Sequence, residues 1–351
     1  MVTIARAQDK SLTLESGKTS EPVKSAKPEA APRAAKTAPR NSEFQHTLAG
    51  RVSLTGVGVH KNAPATVTLN PAEADTGIVF VRTDLADEVV MEATWRSVSA
   101  TELCTVLAGA NGATISTIEH LMAALRALEI DNALIEVDGP EMPIMDGSSA
   151  PFVEAIRQVG VLSQAARRSF VKVLKPVRVE IGDGWGELSP CATTRFEVEI
   201  DFELKPIGRQ SIAFDLTPDV FADDFARART FGRIQDVERL WKMGFALGAS
   251  LENSIAVADD RVLNPEGTRW PDEFVRHKAL DAVGDLALSG LPIRGLYRSY
   301  KGGHRINAAV LQALFADPTA YEIVPAPAHP RREQGHAEIA VAAAAYGPER
   351  G

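Results

Sequence analysis

Cysteine is almost absent from this sequence: Cys104 and Cys191 are the only two in 351 residues. Two cannot build a disulfide framework or a cysteine-rich zinc site, and they suit a reducing compartment. Long apolar runs are missing as well, since none approaches the roughly 18 to 20 residues that span a bilayer. The opening MVTIARAQDK lacks the apolar stretch of a secretory signal. These absences make a cytoplasmic location the expectation. A surplus of positive charge is also lacking. Of 38 Lys/Arg and 46 Asp/Glu, residues 1–44 hold eight and five, leaving 30 bases against 41 acids. A body that acidic is a poor match for a phosphate backbone, so no nucleic-acid partner is expected. A local basic cluster for a small phosphorylated ligand stays open.

What is present is a soluble globular composition, 45% hydrophobic and 24% charged, at a length of one large domain or two ordinary ones. Residues 1–44 are rich in Lys, Ala, Pro, Ser and Glu without apolar period and read as a disordered leader. Residues 326–351 read as a flexible tail, with AEIAVAAAAY marginally helical. Between them, HTLAGRVSLTGVGVH, ATVTLNPA and GIVFVRTDL alternate as strands do. A helix (STIEHLMAALRAL), a strand (NALIEVDG), a Pro/Gly turn and a helix ending at Gly160 follow. The order then recurs: strands around VKVLKPVRVEI, FEVEIDFEL and QSIAFDL, helical segments near 218–243 and a helix over 272–289. Strands then helices, twice, predicts two α+β domains, 45–166 and 167–325, joined near 161–168.

The chemistry gathers on a few segments. In the first helix Ile118, Leu121, Met122 and Leu125 form one stripe, and His120 lies opposite among Ala123, Ala124 and Ala127. A helix apolar on one side and alanine-lined on the other fits between two layers, where an imidazole needs a partner. Glu119 also fits a capping box with Ser116. In DEFVRHKALDAVGDLAL, Val275, Ala279, Ala282, Val283 and Leu286 form the core stripe, with His277, Lys278, Asp281 and Asp285 on the other side. His277 and Asp281 are four apart, a spacing that serves an ordinary surface pair or the chelation of one metal. Two histidines and a carboxylate from two helices, beside a spare Glu, make the inventory of a catalytic zinc site with an open position for water. SYKGGHRIN places His304 in a Gly-rich turn near Lys301, and RARTFG supplies Thr230 and Phe231.

Taken together these segments resemble the zinc-dependent UDP-3-O-acyl-N-acetylglucosamine deacetylases of lipid A synthesis. The matching stretches are TGVGVH, DTGIVFVRTDL, STIEHLMAAL, EMPIMDGSSAPFV, RARTFG, ALGASLENSI, DDRVLNPEG, DEFVRHKALDAVGDL and KGGHRIN, in the family's order over roughly residues 45–322. The resemblance implies Zn2+ held by His120, His277 and Asp281, with Glu119 as general base. It implies His304 as general acid or oxyanion-stabilising cation, Thr230 as oxyanion donor, Lys278 as a substrate-contacting lysine and Asp285 as the group orienting His304. Phe202 would stack on uracil, Lys301 would lie near the diphosphate, and His60 carries over without a defined role. Asp146 would close the turn before the second helix. The implied fold is α+β, two similar domains with helices inside and sheets outside, a four-layer β-α-α-β sandwich. An insert near 230–258 would form an apolar passage for the acyl chain, with Phe231, Ile234, Met243, Phe245, Leu251, Ile255 and Val257 available. Arg233 departs from the family's usual aromatic and is expected at the passage mouth with its charge in solvent. The partner is then a UDP-acyl-sugar, met by a monomer without transmembrane segment that touches a membrane surface at most transiently. The alternatives are an amidase for another N-acylated sugar and a non-catalytic UDP-sugar sensor.

Overall fold

A computed structural model describes residues 43–326. Most of the leader, and the tail beyond its first residue, lie outside the described residues. The alternating segments of the first half form a five-stranded sheet. Its order is Val52–Val57, Pro64–Pro71, Ala133–Val137, Ile78–Arg82 and Val89–Glu92. Neighbours are antiparallel except Ala133–Val137 beside Ile78–Arg82. A seven-stranded sheet is built around Ile293–Tyr300, which runs antiparallel to Gly184–Ser189 and parallel to Thr194–Asp201 and to Ser169–Val173. Val177–Ile181, Arg209–Asp215 and Tyr321–Pro325 complete it. Burial alternates residue by residue along Ile293–Tyr300, so one face of the sheet meets the core.

Six α-helices stand among the described residues: α1 (Glu119–Ala127), α2 (Ala150–Val159), α3 (Pro218–Asp224), α4 (Ile234–Lys242), α5 (Glu273–Leu286) and α6 (His304–Ala316). With five sheets the architecture is α+β. α2 stops where Gly160, at φ 84°, donates its N–H to the Ile156 carbonyl. Three readings change. The helical stretch near 218–243 is two helices separated by the strand Phe231–Arg233, which pairs with Ile255–Val257. The segment read as a joint at 161–168 contains a strand, Val161–Arg167, paired with Phe44–Leu48. His304 lies not in a turn but at the first position of α6, because Ile306, Val310, Leu311 and Leu314 give that segment a buried helical face.

α1 buries eight of its nine residues and packs directly on α5. One core joins Val67, Phe80 and Ile135 of the first sheet, Val198 and Tyr297 of the second, and Leu121, Leu125, Leu280 and Val283 of the two helices. The close approach occurs at Gly284, where an added Cβ would lie 2.1 Å from the Glu119 carbonyl oxygen. That distance is far inside contact, so α1 and α5 can meet here only over a residue without a side chain.

Gly284→Ala therefore tests the packing by the sign of its effect. In an unpacked helix the change would stabilise by about 1 kcal/mol through propensity. Here overpacking should destabilise by roughly 1–3 kcal/mol, lowering the melting temperature by several degrees. A raised melting temperature would mean the two helices do not touch at this point.

Candidate active site and metal centre

α1 and α5 bring His120, His277 and Asp281 together, with one ligand atom from each within 4.8 Å of the others. Asp281 Oδ1 lies 3.3 Å from His277 Nε2 and 3.7 Å from His120 Nε2. The two imidazoles stand nearly perpendicular, centroids 5.1 Å apart. His277 Nδ1 sits 3.0 Å from the Ala228 carbonyl. A carbonyl can only accept, so Nδ1 carries the proton and the Nε2 lone pair faces the cluster. Lys278 Nζ donates to Asp281 Oδ2 at 2.8 Å.

Asp281 Oδ1 is buried and has no hydrogen-bond partner among the described residues. An ionised oxygen buried without a donor is costly, and a cation at the cluster would remove the cost. Protonation states agree with that fit. Burial first and His277 second hold the His120 pKa down to about 3. Burial likewise lowers His277. Burial works against ionised Asp281, but His277 and Lys278 outweigh it and hold its carboxyl below the usual range. Neutral imidazoles and a charged carboxylate are the forms that bind metal, and three such ligands leave a coordination position free.

Beside the cluster stands an acid–base pair. Glu119 Oε1 is 3.9 Å from His304 Nε2. Burial lifts the Glu119 pKa to about 7, opposed by His304 and reinforced by Asp285 and Asp281. Burial opposes the His304 imidazolium, but the Asp285 carboxylate and its hydrogen bond, helped by Glu119 and Asp281, raise the pKa to about 9. Asp285 accepts from His304 Nδ1 at 2.8 Å, Asn307 Nδ2 at 2.7 Å and the Thr105 hydroxyl at 2.6 Å. Glu119 is not a cap: Ile118 holds that position without a side-chain bond, and Glu119 Oε2 instead accepts the Thr105 backbone N–H at 3.1 Å.

The other residues singled out fall around this centre. Phe231 lies edge-on to Phe274, with centroids 5.0 Å apart, and 6.2 Å from the His277 ring. Phe202 meets Phe231 edge-on at 5.8 Å, so an aromatic chain connects the His–Asp cluster to a cleft of about 630 Å³. Phe202, Lys301 and Arg233 all line that cleft, and Lys301 Nζ donates to Asp183 at 2.7 Å. Thr230 is half-buried, its backbone bonded to Gly147 and Ile255. His60 is fixed by Glu141, which accepts its backbone N–H, and by the loop after α4, where the Ala246 N–H donates to Nδ1 and Phe245 packs edge-on. Asp146 accepts from Ser148 and pairs with Arg269, closing the turn as expected. Ile255 and Val257 are core residues, whereas Ile234, Met243 and Leu251 are exposed.

Sequence reasoning missed four features: Thr105, which bridges Glu119 and Asp285; Asn307; the orienting Ala228 carbonyl; and the close approach at Gly284. Asn307 and Gly284 left a signal. Asn307 is one helical turn from His304, and a glycine inside a strong helical pattern asks for a packing reason. Nothing local marks Thr105 or Ala228.

His120→Ala and Asp281→Ala should each drop bound divalent metal well below the about one ion per chain expected for a three-ligand site. Elemental analysis of the purified proteins checks this. Full metal content in both variants would remove the cluster as the binding site.

A model of the family described as UDP-3-O-acyl N-acetylglycosamine deacetylase matches residues 45–316. The chain is 55% identical over 284 residues to proteins of Brucella ovis and Brucella abortus named UDP-3-O-acyl-N-acetylglucosamine deacetylase, covering 81% of this chain and 99% of each relative. The protein of the same name from Brucella melitensis is 54% identical over the same length.

Proposed function

The chain belongs to the UDP-3-O-acyl N-acetylglycosamine deacetylase family, and on that premise we propose that it is a zinc-dependent amidase. Its substrate is UDP-3-O-acyl-N-acetylglucosamine, and its products are acetate and the free glucosamine amine, still acylated at the 3-position. This reaction would be the committed step of lipid A synthesis. The observation that carries the reading is the partnerless Asp281 oxygen between two neutral histidines, with Glu119 and His304 set 3.9 Å apart as an acid–base pair in the same buried centre.

Zinc held by His120, His277 and Asp281 would supply Lewis acidity, polarising the acetamide carbonyl and making a water acidic enough to lose its proton near neutral pH. Glu119, with a pKa of about 7, takes that proton as the water attacks. His304 stays protonated through the neutral range because its pKa is about 9. It can stabilise the developing oxyanion or deliver a proton to the leaving amine, which an amide requires because its nitrogen cannot depart as an anion. Asp285 holds the His304 ring with Nε2 turned toward Glu119. Thr230 donates its hydroxyl to the oxyanion, and Lys278 contacts the substrate while keeping Asp281 ionised. Phe202 stacks on uracil and Lys301 approaches the diphosphate in the cleft they share, with Phe231 packed behind Phe202 and His60 contacting the substrate beside the loop after α4. That cleft favours a nucleotide sugar over another N-acylated sugar, and the complete acid–base pair favours an enzyme over a sensor.

We read the fold as two similar α+β domains meeting near residue 166, in four layers with helices inside, a reading supported by the contact of α1 with α5. No helix among the described residues is long and apolar enough to cross a membrane. We take the protein to act as a cytoplasmic monomer. Exposed Ile234, Trp241 and Met243 on and beside α4 support a transient contact with a membrane surface or with the substrate's acyl chain.

Glu119→Ala should retain its metal and lose on the order of 10²–10⁴-fold in turnover of UDP-3-O-acyl-N-acetylglucosamine. Turnover close to the parent's would show that Glu119 is structural. A second test follows from the charge on Asp285. Activity that needs protonated His304 falls as pH rises through about 9. Removing a neighbouring negative charge disfavours the imidazolium, so Asp285→Asn should move this alkaline limb to lower pH. An unmoved limb would assign that ionisation to another group.

A further inference from the structure

We propose that Arg233 is a diphosphate-binding residue, a cation additional to Lys301 in the lining of the 630 Å³ cleft. The proposal rests on the nucleotide-sugar reading above and goes beyond it, because the resemblance places no cation at this position and puts the residue in the acyl passage. Arg233 lines the same cleft as Phe202, Lys205, Lys301 and Gly302. Its side chain is 47% exposed, and the head group makes a single hydrogen bond, from Nη2 to Gln235 Oε1 at 3.1 Å. The Asp236 carboxylate is 3.9 Å from Nε, beyond hydrogen-bond range.

Commitments among the other charges leave Arg233 with donors to spare, and unlike the exposed Lys205 ammonium it is anchored at the cleft wall. Lys301 donates to Asp183 at 2.7 Å and has Asp201 3.9 Å away. Asp201 also accepts from the Tyr300 hydroxyl. Asp259, the acid on the Arg233 side, accepts from Gln235 Nε2 at 2.6 Å. That bond turns Gln235 so that its oxygen faces Arg233, giving a relay of Asp259, Gln235 and Arg233 that holds the guanidinium at the cleft wall. A planar guanidinium with free N–H groups suits the paired oxygens of a diphosphate better than a carboxylate already bonded elsewhere. Phe202 in the same cleft offers the face on which a base can stack, so nucleoside and diphosphate would be held by adjacent walls.

The test is calorimetric binding of UDP and of uridine to the full-length, metal-loaded protein and to its Arg233→Ala and Arg233→Lys variants. Arg233→Ala should bind UDP roughly 10-fold more weakly, the size of one charge-assisted hydrogen bond, with uridine affinity unchanged. Arg233→Lys should recover part of the loss, because charge returns without the fork. Gln235→Ala should weaken UDP binding less than Arg233→Ala, because it frees the guanidinium without removing it. Equal UDP affinity in parent and Arg233→Ala would overturn the proposal while leaving the nucleotide reading intact. A parallel loss of uridine affinity would also overturn it, since the residue would then be shaping the base site. A parent that binds neither ligand would overturn the nucleotide reading and the proposal with it.

Discussion

The contact between α1 and α5 at Gly284 is the constraint on which the site depends. Because a Cβ there would collide with the Glu119 carbonyl, the two helices lie close enough for one to supply His120 and the other His277 and Asp281. The same approach puts Glu119 beside Asp285 and, through Asp285, beside His304. A wider spacing would separate the ligands and let water into the pair, and with water the raised pKa of Glu119 would fall back. Packing, the proposed metal site and the proposed acid–base pair thus share one geometric cause.

Burial explains the division of labour among chemically similar groups. Glu119, Asp281 and Asp285 are all buried carboxylates within a short distance. Asp281 is held ionised by the Lys278 ammonium, while Asp285 accepts three hydrogen bonds. Glu119 has one backbone donor and a distant imidazole, so desolvation governs it. The group least supported in its charged form is the one suited to exchange a proton near neutrality.

Much of this was legible in the sequence where periodicity and spacing carry the information. The two-sided character of α1 followed from alanines opposite Leu121 and Leu125, and its near-complete burial agrees. The four-residue step from His277 to Asp281 implied a shared face, and the ligand atoms meet there. α6 was missed because Gly302 and Gly303 read as a turn and drew attention from the apolar spacing after them. The capping box at Ser116 failed because Ser116 ends the strand Thr114–Ser116 and α1 begins only at Glu119, whose carboxylate instead accepts the Thr105 N–H. Thr105 and the Ala228 carbonyl reach the site only through tertiary folding, and no local pattern announces such partners. The strand Val161–Arg167 was read as a connection because its pairing partner, Phe44–Leu48, lies more than a hundred residues away.

A metal at the α1–α5 cluster and cleavage of the acetamide must go together if the site works as proposed. The direct measurement is mass spectrometry of UDP-3-O-acyl-N-acetylglucosamine incubated with the protein as purified, after chelator treatment, and after zinc is restored. Loss of one acetyl group in the first and third samples, with unchanged substrate in the second, is the predicted result. Intact substrate in all three, or full conversion by protein shown to hold no metal, would contradict it.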